Sequence, residues 1–346
     1  MKAAVFHGMN DLRVDEVPRP RIDETEILVK VRAVAVCGTD NRIYRFGHFR
    51  IPTGTRRVLG HEVSGEVVEV GARVRDFAKG DRVAVAPNVG CGTCHLCVQG
   101  FHQLCPANEA FGITLDGGFE EYMKVPAFAL GNVAKIPAAM GFEEATLIEP
   151  LSCVFNAYEA HRTVPGDTVC VIGAGPIGTL HVLMNKMAGG RIVVVDLSPP
   201  RLEAIMEAGA DFVVNSAEVD LTARMLEITG GRGADVVITA LSVPEMQQAA
   251  LEIAGAHGRV CFFGGMPKEK ENVTLNTNLI HYKELMVTAT TGSSIQDFHN
   301  ALRIIATGHL DVKSLITARF PLGDTVAAFD YASAGKGLKA VVVPDD

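Results

Sequence analysis

Cys91, Cys94, Cys97 and Cys105 stand in the spacing CxxCxxCx7C, four thiols within fifteen residues. Thiolates this close can enclose one ion tetrahedrally, and in a reducing compartment zinc is the ion such a set holds. Gly90, Gly92 and Gly100 let the chain wrap around it. With sulfur in all four positions the site is structural; four unrelated buried thiols and an iron–sulfur cluster are the alternatives. A second constellation is spread along the chain. Cys37 lies in Val-Cys-Gly-Thr-Asp, His61 and Glu62 lie in Gly-His-Glu-Val-Ser-Gly, and Glu149 precedes Pro150. One thiolate, one imidazole and one or two carboxylates can hold zinc and leave a position open to substrate, which is the catalytic pattern. Singly each residue would be structural; together they define a candidate reaction centre. Cys153, Cys170 and Cys261 sit in apolar contexts and read as core.

A third chemistry-bearing stretch runs from Thr168 to Asp196. Residues 170–172 form a β-branched-rich run, and Gly173, Gly175 and Gly178 follow in GxGxxG spacing. Gly173 allows a tight turn, Gly175 leaves room for a pyrophosphate, and Gly178 lets a helix over about 176–188 pack on the strand. That helix aims its unpaired N-terminal amides at the phosphates. A second strand ends at Asp196, eighteen residues after Gly178, where a carboxylate accepts hydrogen bonds from a ribose and repels a 2′-phosphate. The expectation is NAD rather than NADP, with Gly173, Gly175, Pro176, Ile177, Gly178, Asp196 and Arg201 as the binding residues.

These groups need a scaffold. Residues 1 to about 35 alternate in strand fashion, as in Ile27-Leu28-Val29-Lys30-Val31-Arg32-Ala33-Val34, and 63–85 is a second β-rich stretch broken by Gly65, Gly71 and Gly80-Asp81. Such strands with glycine turns predict an antiparallel sheet resembling a small barrel. From Thr168 onward the pattern changes to alternating strand and helix. Strands are predicted near 169–173, 191–196, 212–214, 235–239, 259–264 and 285–290, with helices starting near Pro176, Pro200, Val219 and Pro244. Ser198 before Pro199-Pro200 predicts a capped helix start. Six strands with intervening helices make an α/β, doubly wound parallel sheet. Phe298, Ala301, Leu302 and Ile305 fall on one face of a further helix. A chain of 346 residues is long enough for two cores, and 48% hydrophobic with 21% charged residues is ordinary for a soluble protein. The net charge of −8 argues against a nucleic-acid partner. The N-terminus has no apolar signal core and no apolar run approaches ~18 residues, so a cytoplasmic protein with no membrane partner is expected.

Cys37-Gly-Thr-Asp, Gly60-His61-Glu62-x-x-Gly65, Gly80-Asp81-Arg82-Val83, the four-cysteine lobe, Glu149-Pro150 and Gly173-x-Gly-x-x-Gly178 follow one another as in the zinc-dependent medium-chain dehydrogenases. The resemblance covers essentially the whole chain. Glutamate rather than cysteine at 149 resembles the polyol (sorbitol) and threonine dehydrogenase branch. The resemblance implies a GroES-like, β-rich catalytic domain made of residues 1–150 and 291–346, with a Rossmann NAD-binding domain, 151–290, inserted between them. It implies two zinc ions per chain, one structural at the four cysteines and one catalytic among Cys37, His61, Glu62 and Glu149. One of the two glutamates would act through water or exchange with it. The implied reaction is NAD-linked oxidation of a secondary hydroxyl of a polyol or sugar derivative to a ketone. Thr39 would be the first hydroxyl of a proton relay. A homo-oligomer, dimer or tetramer, paired near Leu285 to Thr290, is also implied. L-Threonine 3-dehydrogenase is the nearest alternative; a zinc-free reductase of the same superfamily and a non-enzymatic NAD-binding protein are more distant ones.

One departure matters. Many members carry a histidine three residues after the Thr39 equivalent, where this chain has Arg42, and a guanidinium cannot act as a base at neutral pH. The relay must run another way, through the Glu149 side, a water or the cofactor ribose. Arg42, Arg45, Arg50, Arg56 and Arg57, with His48 among them, make this loop rich in positive charge. It reads either as a solvated or subunit-facing loop or as a contact for a substrate carboxylate or phosphate, which would make the enzyme a sugar-acid or sugar-phosphate dehydrogenase. Tyr44, Phe46, Phe111 and Phe119 read either as pocket lining or as core.

Overall fold

The computed structural model describes residues 1–345. Backbone contacts divide the chain into two compact units, residues 1–152 with 292 onward, and residues 153–291.

In the first unit, strand Ile27–Ala35 is apolar at almost every position and is buried accordingly. It lies inside a seven-stranded sheet in the order Val133–Lys135, Arg82–Val85, Glu62–Val70, Ile27–Ala35, Lys339–Val343 and Ile316–Pro321, with Tyr122–Val125 also pairing on Ile27–Ala35. The last two strands are parallel, and helix Thr325–Ala334 lies between them in the chain. The end of the chain thereby returns to the sheet begun by its start. A second sheet pairs Lys2–Gly8 with Asp11–Glu16 and Arg57–Val58. Both sheets contribute to one core, which includes Phe6, Leu12, Val31, Val67, Val83, Phe111, Phe119 and Phe329. The expected barrel is therefore two sheets around one core, and the seven-stranded pairing ends without closing. Phe111 and Phe119 are core residues rather than pocket lining. Tyr44 packs edge-on against Phe329 at 5.8 Å, whereas Phe46 is 74% exposed. Helix Ile295–Ala306 buries Phe298, Ala301, Leu302 and Ile305 and begins with a reciprocal Ser294–Asp297 cap.

The second unit is a six-stranded parallel sheet in the order Phe212–Asn215, Arg191–Asp196, Thr168–Ile172, Ala234–Thr239, Ala254–Phe262 and Met286–Ala289. Successive residues of each strand serve opposite faces. Val169, Val171, Ile192 and Val194 pack with Val182 of helix Pro176–Met187 and Ile205 of helix Pro199–Glu207. Cys170, Ile172, Val193 and Val195 pack on the other side with Met225 and Ile228 of Leu221–Thr229 and with Ala250 and Leu251 of Pro244–Ile253. Helices on both faces explain why these strands read as continuous apolar runs, and they make the sheet doubly wound.

Two local expectations need correcting. Ser198 is the N-cap residue of Pro199–Glu207, yet its side chain makes no capping bond. The two prolines at the helix start supply no amide, so of the two usual partners of a capping hydroxyl only the Arg201 amide is left. Cys153 is only partly buried, while Cys170 and Cys261 are fully buried and burial drives both thiols up, Cys261 to about 11. Helix Thr277–Lys283, seven residues with none buried, carries no apolar stripe to announce it. Among the described residues no helix is long and apolar enough to cross a membrane.

Candidate active site

Cys37 is the N-cap of helix Gly38–Phe46. Its Sγ accepts the Thr39 amide at 3.5 Å, and its own amide donates to Asp40 Oδ2 at 2.9 Å. This reciprocal cap fixes the thiol where the chain leaves strand Ile27–Ala35. Asp40 is fully buried; its Oδ1 accepts the Gly60 amide at 3.2 Å and stands 3.2 Å from His61 Nδ1. One carboxylate therefore ties the Cys37 turn to the Gly60-His61 turn. The His61 contact is too poorly aligned for a hydrogen bond and leaves buried Nδ1 without a bonded partner, but Asp40 still orients the ring and leaves Nε2 for an ion. Strand pairing sets Glu62 opposite Ala35, which brings its neighbour His61 alongside Cys37. A ligand atom of each of Cys37, His61 and Glu62 lies within 4.8 Å of the others.

A residue that the sequence reading did not single out completes this centre. Lys339 opens strand Lys339–Val343 and is buried, and its Nζ donates to both Glu62 oxygens at 2.5 Å and to the Val36 carbonyl at 3.3 Å. The signal was a single charge heading the apolar run Ala-Val-Val-Val, an arrangement that needs a buried partner. Burial pushes the Glu62 carboxyl up to about 7 against the pull of Lys339. Burial works against charge on Lys339 too, but Glu62 and Cys37 outweigh it and hold the ammonium. Glu149, in the first turn of helix Ile148–His161, is buried and stands outside the three-atom set, where its charge acts on both Glu62 and Lys339. Thr39 is half-buried beside Cys37.

This donor set suits zinc. Burial disfavours a charged His61, yet Asp40 and Cys37 raise its proton affinity well above the ordinary value. An environment that draws a proton so strongly onto a buried ring also draws a metal cation between thiolate, imidazole and carboxylate.

In the cysteine lobe, Cys94 is the N-cap of the short helix His95–Val98. The Cys91 amide donates to Cys105 Sγ at 3.4 Å, that of Cys94 to Cys91 Sγ at 3.3 Å, and that of Cys97 to Cys94 Sγ at 3.5 Å. All four sulfurs lie within 4.8 Å of one another. Amides aimed at sulfur favour thiolates, the form that binds metal. A Cβ on Gly90 would come within 2.6 Å of Cys97 Sγ, so the tight wrap requires glycine there.

At the glycine turn, Gly173 has φ +112° and donates to the Val195 carbonyl at 2.7 Å. A Cβ on Gly178 would overlap the Gly173 carbonyl, whereas one on Gly175 would project into open space. Gly175 caps helix Pro176–Met187 without a side-chain bond, and Pro176 has no amide, which leaves the amides of Ile177 and Gly178 for a phosphate. The Asp196 carboxylate accepts from the Ala174 amide at 2.7 Å through Oδ2 and from Leu197 and Ser198 at 2.8 and 2.9 Å through Oδ1. It closes the loop and still has acceptor capacity for a ribose hydroxyl. Arg201 is half-buried in the first turn of Pro199–Glu207.

Of the loop arginines, Arg57 donates to Asp116 at 2.8 Å, and Arg50 to Asn108 Oδ1 at 3.2 Å and to the Asn108 carbonyl. Arg42, Arg45 and Arg56 are exposed.

The alcohol dehydrogenase GroES-like domain family matches residues 23–138, and the zinc-binding dehydrogenase family matches residues 176–307. The chain is 35% identical to the sorbitol dehydrogenase of Bacillus subtilis, covering 100% of this chain and 98% of that one. It is also 35% identical to the L-threonine 3-dehydrogenase of Pyrococcus abyssi, covering 99% and 97%. The crystal structure of galactitol-1-phosphate dehydrogenase from Escherichia coli superposes with a TM-score of 0.89 at 28% identity, covering 99% of this chain and 100% of that one. The chain therefore belongs to the zinc-dependent medium-chain dehydrogenases, in the branch of the polyol and threonine dehydrogenases, which act on CH–OH groups.

Proposed function

We propose that this protein oxidises a secondary hydroxyl of a polyol or sugar derivative to a ketone, with NAD as the acceptor. The observation that carries the reading is the convergence of Cys37, His61 and Glu62 ligand atoms within 4.8 Å, next to the half-buried Thr39. Zinc held there supplies Lewis acidity that makes a hydroxyl easier to deprotonate, and NAD supplies the hydride acceptor. Cys37, His61 and one of Glu62 and Glu149 bind the catalytic ion; the approach of Glu62 to Cys37 and His61 within 4.8 Å supports Glu62 in that role. Cys91, Cys94, Cys97 and Cys105 hold the structural ion. Asp40 orients His61. Lys339 favours the charged form of Glu62 against the effect of burial and fixes its position. The Thr39 hydroxyl takes the substrate proton first, and because Arg42 cannot accept it, Glu149, a water or the cofactor ribose passes it on.

Gly173, Gly175, Pro176, Ile177 and Gly178 receive the pyrophosphate, while Asp196 and Arg201 face the adenosine end. Asp196 favours NAD over NADP because a 2′-phosphate would meet a carboxylate. Residues 1–150 and 291–346 serve as the catalytic domain and 151–290 as the cofactor domain. We place the enzyme in the cytoplasm as a homo-oligomer, a tetramer or dimer. The relatives named for sorbitol, threonine and galactitol 1-phosphate span neutral and charged substrates. The test is NAD-linked activity across polyols, sugar acids, sugar phosphates, L-threonine and simple secondary alcohols. Turnover of L-threonine alone would replace this reading with the threonine dehydrogenase one.

A further inference from the structure

We propose that Arg42, His48, Arg50 and the Asn108 side-chain amide form a subsite for a carboxylate or phosphate on the substrate, so that the preferred substrate is an acidic polyol derivative. This rests on the function proposed above and names the class of compound that its site takes.

Helix Gly38–Phe46 buries Asp40 and Ile43. An adjoining face carries Thr39, Arg42 and Phe46, spaced i, i+3 and i+7. Arg42 thus stands one turn, about 5 Å along the axis, from the proposed relay hydroxyl. Beyond Gly47, His48 Nδ1 accepts the Arg50 amide at 3.2 Å, which leaves Nε2–H as a donor on the neutral ring. Arg50 is held on Asn108 by two guanidinium bonds, and Asn108 Nδ2 is a buried donor with no partner.

The electrostatics point the same way. Burial lowers the proton affinity of His48, and the charges that add to this are Arg50 and Arg42, with no carboxylate acting against them. Among the described residues Arg42, Arg45, Arg50 and Arg56 make no ion pair with an acid, in a chain with 40 acidic residues and a net charge of −8. Arg42 and Arg50 both act on His48, and Arg50 holds Asn108, so two guanidiniums, an imidazole N–H and an orphan amide N–H, all donors, gather around the loop that follows the Thr39 helix. An acceptor-only anion offers several oxygens and a compensating charge to such a set; a neutral hydroxyl offers one oxygen and no charge.

The test compares kcat/KM for a polyol, its terminal carboxylic acid and its terminal phosphate, matched at the secondary hydroxyl. The wild type should prefer one of the two anions at least tenfold. Arg42→Gln should lower the anion-to-neutral ratio at least tenfold, while Arg57→Gln, whose partner is Asp116, should leave that ratio within twofold. Calorimetric titration with inorganic phosphate supplies a readout independent of turnover. Saturable binding that weakens at least tenfold in folded Arg42→Gln supports the subsite. If the neutral polyol is oxidised as well as the anions and phosphate does not bind, the subsite is refuted while the polyol reading stands. If no member of the set is oxidised but Arg42→Gln still weakens phosphate binding, the subsite stands and the polyol reading fails.

Discussion

Replacing His181 by leucine should stabilise the protein, and by more at pH 5 than at pH 8. His181 lies in helix Pro176–Met187, fully buried, with its ring edge-on to Phe263 at 4.8 Å and neither ring nitrogen bonded to a protein group. Burial drives its pKa down to about 3, and His161 pushes in the same direction. In the unfolded chain the ring titrates near 6.5. As pH falls below 6.5 the unfolded state gains a proton that the folded state refuses until about pH 3, so stability falls with pH across that window. From pH 8 to pH 5 this is roughly 1.5 pH units below the unfolded pKa, or about 2 kcal/mol. His161 is buried and lowered to about 4, by burial first and Arg259 second, against Asp167, and adds a loss of similar size in the wild type and the variant alike. Leucine removes the His181 contribution alone. At pH 8 the variant should gain about 1–3 kcal/mol by relieving two unpaired buried nitrogens, less any misfit of shape. Urea unfolding midpoints at pH 8, 7, 6 and 5, at fixed zinc and NAD, measure the difference. Wild-type and variant profiles that stay parallel across this range would falsify the assignment of His181 as a buried neutral ring.

Three further outcomes follow from the site. Asp40→Asn should keep the helix cap but weaken the hold on His61, with a loss of about 10–100-fold in affinity for the catalytic zinc, read by competition with a chelator; unchanged affinity would free His61 from Asp40. Thr39→Val should lower kcat more than it raises KM, and unchanged turnover at every pH would remove Thr39 from the relay. Asp196→Ser should raise the NADP-to-NAD ratio of kcat/KM at least tenfold. Because the carboxylate also accepts the Ala174, Leu197 and Ser198 amides, the same substitution should raise KM for both cofactors, and a fixed ratio would move cofactor choice elsewhere.

Much of this protein is legible along the chain, because several of its devices are local. The GxGxxG turn works through three glycines within six residues: Gly173 takes a positive φ, Gly175 leaves open space, and Gly178 packs on the Gly173 carbonyl of the same turn. The cysteine lobe is held by amides of its own fifteen residues, so spacing alone announces it. Doubly wound sheets bury their strands on both faces, which writes continuous apolar runs into the sequence. The candidate reaction centre is different. Its ligands stand on separate stretches, Cys37 at a helix N-cap, His61 on a turn and Glu62 at the head of a strand, and their 4.8 Å approach depends on the register that sets Ala35 opposite Glu62. Lys339 reaches Glu62 from 277 residues away, and only because the final strand pairs beside Ile27–Ala35. The same is true of Asp40, which lies within a recognisable motif but acquires its role through Gly60 and His61 on another turn. Local sterics and thiol spacing are properties of short stretches, and the sequence by itself determines them. Charge pairing in a buried site depends on which strands become neighbours, and that was decided by the folding of the whole sheet.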